Sequence, residues 1–127
     1  MPAITLLYTG LLALMAIGLA AVPGSMRGKL GVSVGDGGNP ELLLAMRRHG
    51  NFVESVPLAI ILMGLLEMNG LGSTTLHVFG VVLIAARICH AVGLKGDNIT
   101  NALRGIGAGA TALLTAVMAI WGIVLFF

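Results

Sequence analysis

The stretch RRHGNFVESVPLAIILMGLL, residues 47–66, decides the fold. Its first half holds Arg47, Arg48, His49, Asn51 and Glu54, while beyond Pro57 only apolar residues and glycine follow. No turn signal separates the two halves. A polar segment that runs straight into a hydrocarbon-compatible one reads as one helix entering a bilayer with its charges at or below the headgroups.

The rest of the 127-residue chain agrees: 57% of it is hydrophobic and only 9% charged. A soluble domain carries about a quarter charged residues, so this composition leaves too few charges to cover a water-facing surface. The mean hydropathy is +1.03. The class expected is an all-α integral membrane protein, because lipid forces each spanning segment to satisfy its own backbone. The formal charge of +2 is spread over the chain and makes no stripe able to track phosphates, which argues against nucleic acid. A single cysteine, Cys89, excludes an internal disulfide and is expected to pack as a small apolar residue. No metal site is expected. The first apolar run lacks the cationic opening of a signal peptide and is expected to be a retained helix.

Runs of about 20 apolar residues mark bilayer spans. Four are expected, at residues 3–22, 40–68, 74–94 and 100–126, forming one four-helix domain over residues 1–127. Pro23-Gly24 is the expected end of the first. Asn39 is a candidate N-cap for the second with Pro40 at its first turn, and Asn69-Gly70 ends it. A turn is expected at residues 95–98. Arg27, Lys29, Arg47 and Arg48 flank the first connection, and Lys95 and Arg104 the third; the second connection and both termini have no Lys or Arg. By the positive-inside rule, the first and third connections face the cytoplasm and both termini face away.

On a helix, Arg47, Asn51 and Glu54 stand at i, i+4 and i+7 and share a face. Glu54 lies about 14 residues past Pro40, some 20 Å along the helix, near or below the headgroups. An ionisable group there should face a bundle interior or a wet cavity. Arg87 and His90 share a face of the third helix, and Arg104 opens the fourth. Arg47, Arg87 and Arg104 are therefore expected to converge with Glu54, Asn51 and His90 in a polar pocket near the cytoplasmic surface. Plainer readings stay open. An Arg87–Glu54 pair can simply fix packing, His90 can be an interhelical donor, and Arg47 and Arg48 can be interfacial anchors. Arg27 and Lys29 are read as topology determinants, His49 as interfacial, His77 as incidental and Glu67 as solvent-facing. Gly105 and Gly109 form a small-xxx-small pair expected to pack a neighbouring helix.

The pattern Arg47-x-His49-x-Asn51-Phe52-x-Glu54-x-x-Pro57 resembles the second-helix signature of the MAPEG family, the membrane-associated proteins of eicosanoid and glutathione metabolism. The likeness covers the whole chain, with four helices, a long first connection, Arg87-x-x-His90 on the third helix and Arg104 opening the fourth. The compact loops and short tails suggest a bacterial member, which is then expected in the inner membrane. The resemblance also implies a homotrimer with glutathione held in an intersubunit cleft open to the cytoplasm, and a lipophilic substrate drawn from the bilayer. By resemblance, Arg47, His49, Asn51, Glu54, Arg87 and His90 hold the tripeptide and Arg104 activates its thiol. The chemistry fits. Arginine forks suit the two carboxylates of glutathione, and a guanidinium favours thiolate over a thiol of pKa near 8.5. A shift of about a hundredfold toward thiolate corresponds to roughly 2.7 kcal/mol.

Two residues depart from the family pattern. A tyrosine often follows the helix-two glutamate, where this chain has Ser55; another often lies one turn past the third-helix histidine, where it has Leu94. The only tyrosine is Tyr8. The expected activity is glutathione-dependent transfer or peroxide reduction on a lipophilic electrophile, with thiolate stabilised by Arg104. The alternative is a lipid- or metabolite-binding protein on the same scaffold without catalysis. A transporter is disfavoured, because the polar residues trace no path across the membrane.

Overall fold

A computed structural model describes residues 1–95 and 101–127. It contains four helices: α1 (Ala3–Leu30), α2 (Pro40–Met68), α3 (Ser73–Gly93) and α4 (Ala102–Val124). All four are long and apolar enough to cross a membrane. The turn expected at 95–98 lies, beyond Lys95, outside the described residues, as does Thr100.

The first helix runs eight residues further than its sequence implies, because Pro23 sits inside it. A proline removes only one helical hydrogen bond, here the one to the Leu19 carbonyl, and membrane helices tolerate that loss. The true stop is Gly31, whose φ of 66° is left-handed and costs glycine nothing. At about 42 Å, α1 outreaches the roughly 30 Å hydrocarbon layer, so the turns bearing Arg27 and Lys29 project from it. The start of α2 follows its sequence: Asn39 Oδ1 accepts from the amides of Glu41 and Leu42, both at 3.0 Å.

Burial sets the order of packing. In α3, 44% of the apolar window is buried, against 17% in α1, so α3 is central and α1 outlying. Leu12, Phe52, Met63, Leu83, Leu114 and Met118 belong to the buried core. Large apolar side chains such as Leu14, Ile17, Leu113 and Ile120 point outward, as suits lipid. On α4 the buried residues Gly107, Thr111, Leu114 and Met118 fall at i, i+4, i+7 and i+11.

The close contact between α3 and α4 is made by Gly93 and Gly107. A Cβ on Gly107 would lie 2.5 Å from the Ala86 carbonyl oxygen and 2.6 Å from the His90 amide nitrogen. Gly105 and Gly109 have nothing within 4 Å of such a Cβ. They lie on the outer face of α4, so within the chain the expected small-xxx-small contact is replaced by Gly107.

At the end of the bundle where the chain begins, α1 is fastened by polar contacts. Glu67 is half-buried rather than solvent-facing. Its Oε1 accepts from the Ile4 amide at 2.9 Å and its Oε2 from the Thr5 amide at 2.7 Å. A carboxylate from α2 thus caps the first turn of α1, where orphan amides and the helix dipole both favour negative charge. His77 is likewise engaged: its Nδ1 lies 3.0 Å from the Tyr8 hydroxyl, and the Tyr8 ring fills the space a side chain on Gly80 would need.

Candidate functional site

On α2, Asn51, Glu54, Ser55, Leu58 and Leu62 recur at helical spacing and form one wall of a groove. The facing wall is α4, with Ala108, Thr111, Ala112, Thr115, Ala116 and Ala119, and α3 contributes Arg87 and His90. The groove encloses about 650 Å³, within the usual range for small-molecule sites. Its polar half holds Asn51, Glu54, Ser55, Arg87 and His90. Its other half is apolar and, through Leu62 and Ala119, meets a second hollow that reaches Asn69 and Phe126.

Arg87 dominates the electrostatics. It is only 3% exposed. Its Nη2 donates to the Gly107 carbonyl at 2.8 Å, an oxygen that also accepts from Thr111 Oγ1 at 2.9 Å. Its Nε has no hydrogen-bond partner. A buried donor left unmade costs about 1–3 kcal/mol, more on a charged group. An ionisable side chain buried at membrane depth is costly and marks Arg87 as a candidate site residue. Its protein partner is a backbone carbonyl, not the Glu54 carboxylate, so the simple packing pair does not form. Glu54 is exposed on the opposite wall. A cation and an anion thus face the groove without neutralising each other. His90, 8% exposed, lines the groove beside Arg87.

Of the seven residues singled out in the sequence, Asn51, Glu54, Arg87 and His90 share the groove. Arg47 is exposed one turn before Asn51, and His49 is half-buried; neither lines it. Arg104 is half-buried in the first turn of α4, where its amide donates to Asn101 Oδ1 at 3.3 Å, and it too lies outside the lining. The convergence of three arginines is therefore confined, within one chain, to Arg87. Ser55 turns its hydroxyl to the Asn51 carbonyl at 2.8 Å, and Leu94 is buried. The lining contains no phenol. Tyr8 sits at the other end of the bundle.

Two contributors escaped the sequence. Thr111 and Gly107 hold Arg87 through one shared carbonyl, and their i, i+4 spacing was the available signal. Arg48 is a structural tie rather than a plain anchor: its Nε and Nη2 donate to the Leu94 carbonyl at 3.1 and 2.8 Å.

These features define an integral membrane protein of four helices with a charged groove sunk between α2, α3 and α4. The chain belongs to the MAPEG family, whose family model matches residues 5–124. It is 38% identical over 116 residues to the inner membrane protein YecN of Escherichia coli (strain K12), covering 91% of this chain and 88% of that protein. The YecN protein of E. coli O6:H1 (strain CFT073) matches to the same extent. The four spans and these relatives together make the chain an integral inner membrane protein.

Proposed function

We propose that the groove binds glutathione and that the protein is a glutathione-dependent transferase or peroxidase acting on a lipophilic electrophile. The observation that carries this reading is Arg87, a guanidinium buried among apolar helices that lines, together with Glu54, a groove of about 650 Å³. Glutathione brings two carboxylates and an ammonium. Arg87 suits one of those carboxylates, Glu54 the ammonium and the Asn51 amide a further polar contact, which leaves the second carboxylate to an arginine at the mouth. The apolar half of the groove, lined by Leu58, Leu62 and alanines of α4, offers the second reactant a route from the bilayer.

Arg104 is the proposed activator of the thiol. It stands three residues before Gly107, the residue whose carbonyl Arg87 holds. We place Arg47 and His49 at the mouth as further contacts for the tripeptide. A homotrimer completes the site in this reading. The groove is open on one side, Glu54 is exposed, and the small residues Gly105 and Gly109 leave the outer face of α4 free for a neighbouring subunit. The basic residues around the first and third connections orient the groove toward the cytoplasm and both termini away from it.

Reduced glutathione added to detergent-purified protein should generate ultraviolet thiolate absorbance at neutral pH, and an aryl halide or a lipid hydroperoxide should be turned over. Absence of both signals would remove the catalytic reading. One observation favours the non-catalytic alternative: no phenol lines the groove to donate to a thiolate. Glutathione binding without turnover of either substrate would select that alternative.

A further inference from the structure

We propose that Arg48 is a positioning residue that sets the spacing between the α2 wall of the groove and the corner joining α3 to α4; its role in ligand binding rests on the glutathione reading above. The two adjacent arginines part company in the fold. Arg47 is exposed, whereas Arg48 is half-buried and places both Nε (3.1 Å) and Nη2 (2.8 Å) on the Leu94 carbonyl. That carbonyl belongs to the C-cap of α3, where the last helical oxygens have no intrahelical donor and the dipole favours a cation. Two donors on one oxygen fix the guanidinium plane as well as its distance, which a single ammonium cannot do.

The tie continues beyond Leu94. The Leu94 amide donates to the His90 carbonyl at 3.0 Å, so the fastened residue is one turn from a groove residue. Gly93 packs directly on the start of α4: a Cβ there would lie 2.8 Å from the Leu103 carbonyl carbon and 2.9 Å from Asn101 Oδ1, and would strike the Arg104 amide nitrogen. Asn101 Oδ1 in turn caps Leu103 and Arg104. A continuous strut therefore runs from Arg48 on α2, through Leu94 and Gly93, to the turn carrying Arg104. Asn51 and Glu54 lie at one end of this strut, three and six residues beyond Arg48. His90 and Arg104 lie at the other.

The experiment compares the full-length protein with Arg48→Ala, Arg48→Lys and, as a control for surface charge, Lys29→Ala. Hydrogen exchange is followed at residues 90–95 and 101–105, and the glutathione Kd is measured on the folded fraction. Arg48→Ala should speed exchange at this corner and weaken glutathione binding, each by about tenfold, the scale of one lost charge-assisted hydrogen bond. Arg48→Lys should fall between it and the wild type in both readouts, and Lys29→Ala should change neither. A purely structural role would lower the melting temperature of Arg48→Ala while leaving the Kd of the folded protein unchanged, and that result overturns the proposal. If the wild type binds no glutathione, the functional reading fails separately and the strut is judged on exchange alone. Faster exchange in Arg48→Ala then upholds it, and equal exchange overturns it.

Discussion

Replacing Gly107 by alanine tests how the groove is held together. The added Cβ would sit 2.5 Å from the Ala86 carbonyl oxygen and 2.6 Å from the His90 amide nitrogen. Ordinary contact for such atoms begins near 3.5 Å, so α3 and α4 must part by about 1 Å. Overpacking of this kind costs roughly 1–3 kcal/mol. The separation also draws the Gly107 carbonyl from Arg87 Nη2, now at 2.8 Å, and a hydrogen bond from a charged donor is worth about 1.5–3 kcal/mol. The gain in helix propensity returns at most about 1 kcal/mol. The net expectation for Gly107→Ala is a loss of about 2–5 kcal/mol, with glutathione binding weakened in parallel because Arg87 loses its mooring. Gly105→Ala and Gly109→Ala, whose new atoms meet nothing within 4 Å, should leave the stability of the subunit fold within about 0.5 kcal/mol of wild type. Chemical denaturation in detergent, followed by Trp121 fluorescence, measures all three. A Gly107→Ala variant as stable as wild type would refute the packing argument.

Other substitutions separate fold from function. Glu67→Ala removes the carboxylate from two amides of α1 and should cost about 2–4 kcal/mol in the same denaturation assay, while the glutathione Kd of the folded protein stays unchanged because Glu67 lies outside the groove. Arg104→Ala should abolish thiolate absorbance yet leave the oligomer intact by size-exclusion chromatography; a persisting signal would clear Arg104 of the activating role. Tyr8→Phe loses only the contact to His77, about 0.5–1.5 kcal/mol, and turnover should be unaffected. A fall in turnover would mean that the phenol takes part in the chemistry.

What could be read from the sequence depended on how far local composition constrains position. The four spans were legible because hydrocarbon thickness fixes the length of an apolar run. The one large boundary error, at Pro23, came from treating proline as a terminator. One proline costs a single ladder bond, which the flanking turns of a long apolar helix outlast, and the helix goes on to Gly31, which can turn left-handed. Asn51, Glu54, Arg87 and His90 could be found because polar residues in an oily helix are conspicuous and their spacing gives the face. The packing face of α4 could not. Alanine, glycine and leucine surround that helix on all sides, so only its neighbours show that Gly107 rather than Gly105 is the contact. The part played by Arg48 was equally hidden, because its partner is a backbone carbonyl 46 residues away, and backbone carbonyls carry no mark in the sequence. Glu67 misled for the same reason: its partners are amides at the start of another helix.

The most direct measurement is a calorimetric titration of the detergent-purified protein with reduced glutathione, alongside Arg87→Leu. Saturable binding by the wild type that disappears in a folded Arg87→Leu variant is the predicted result. A wild type that yields no binding heat up to millimolar glutathione, or a variant that binds as tightly as the wild type, would contradict the claim that Arg87 is kept buried for this ligand.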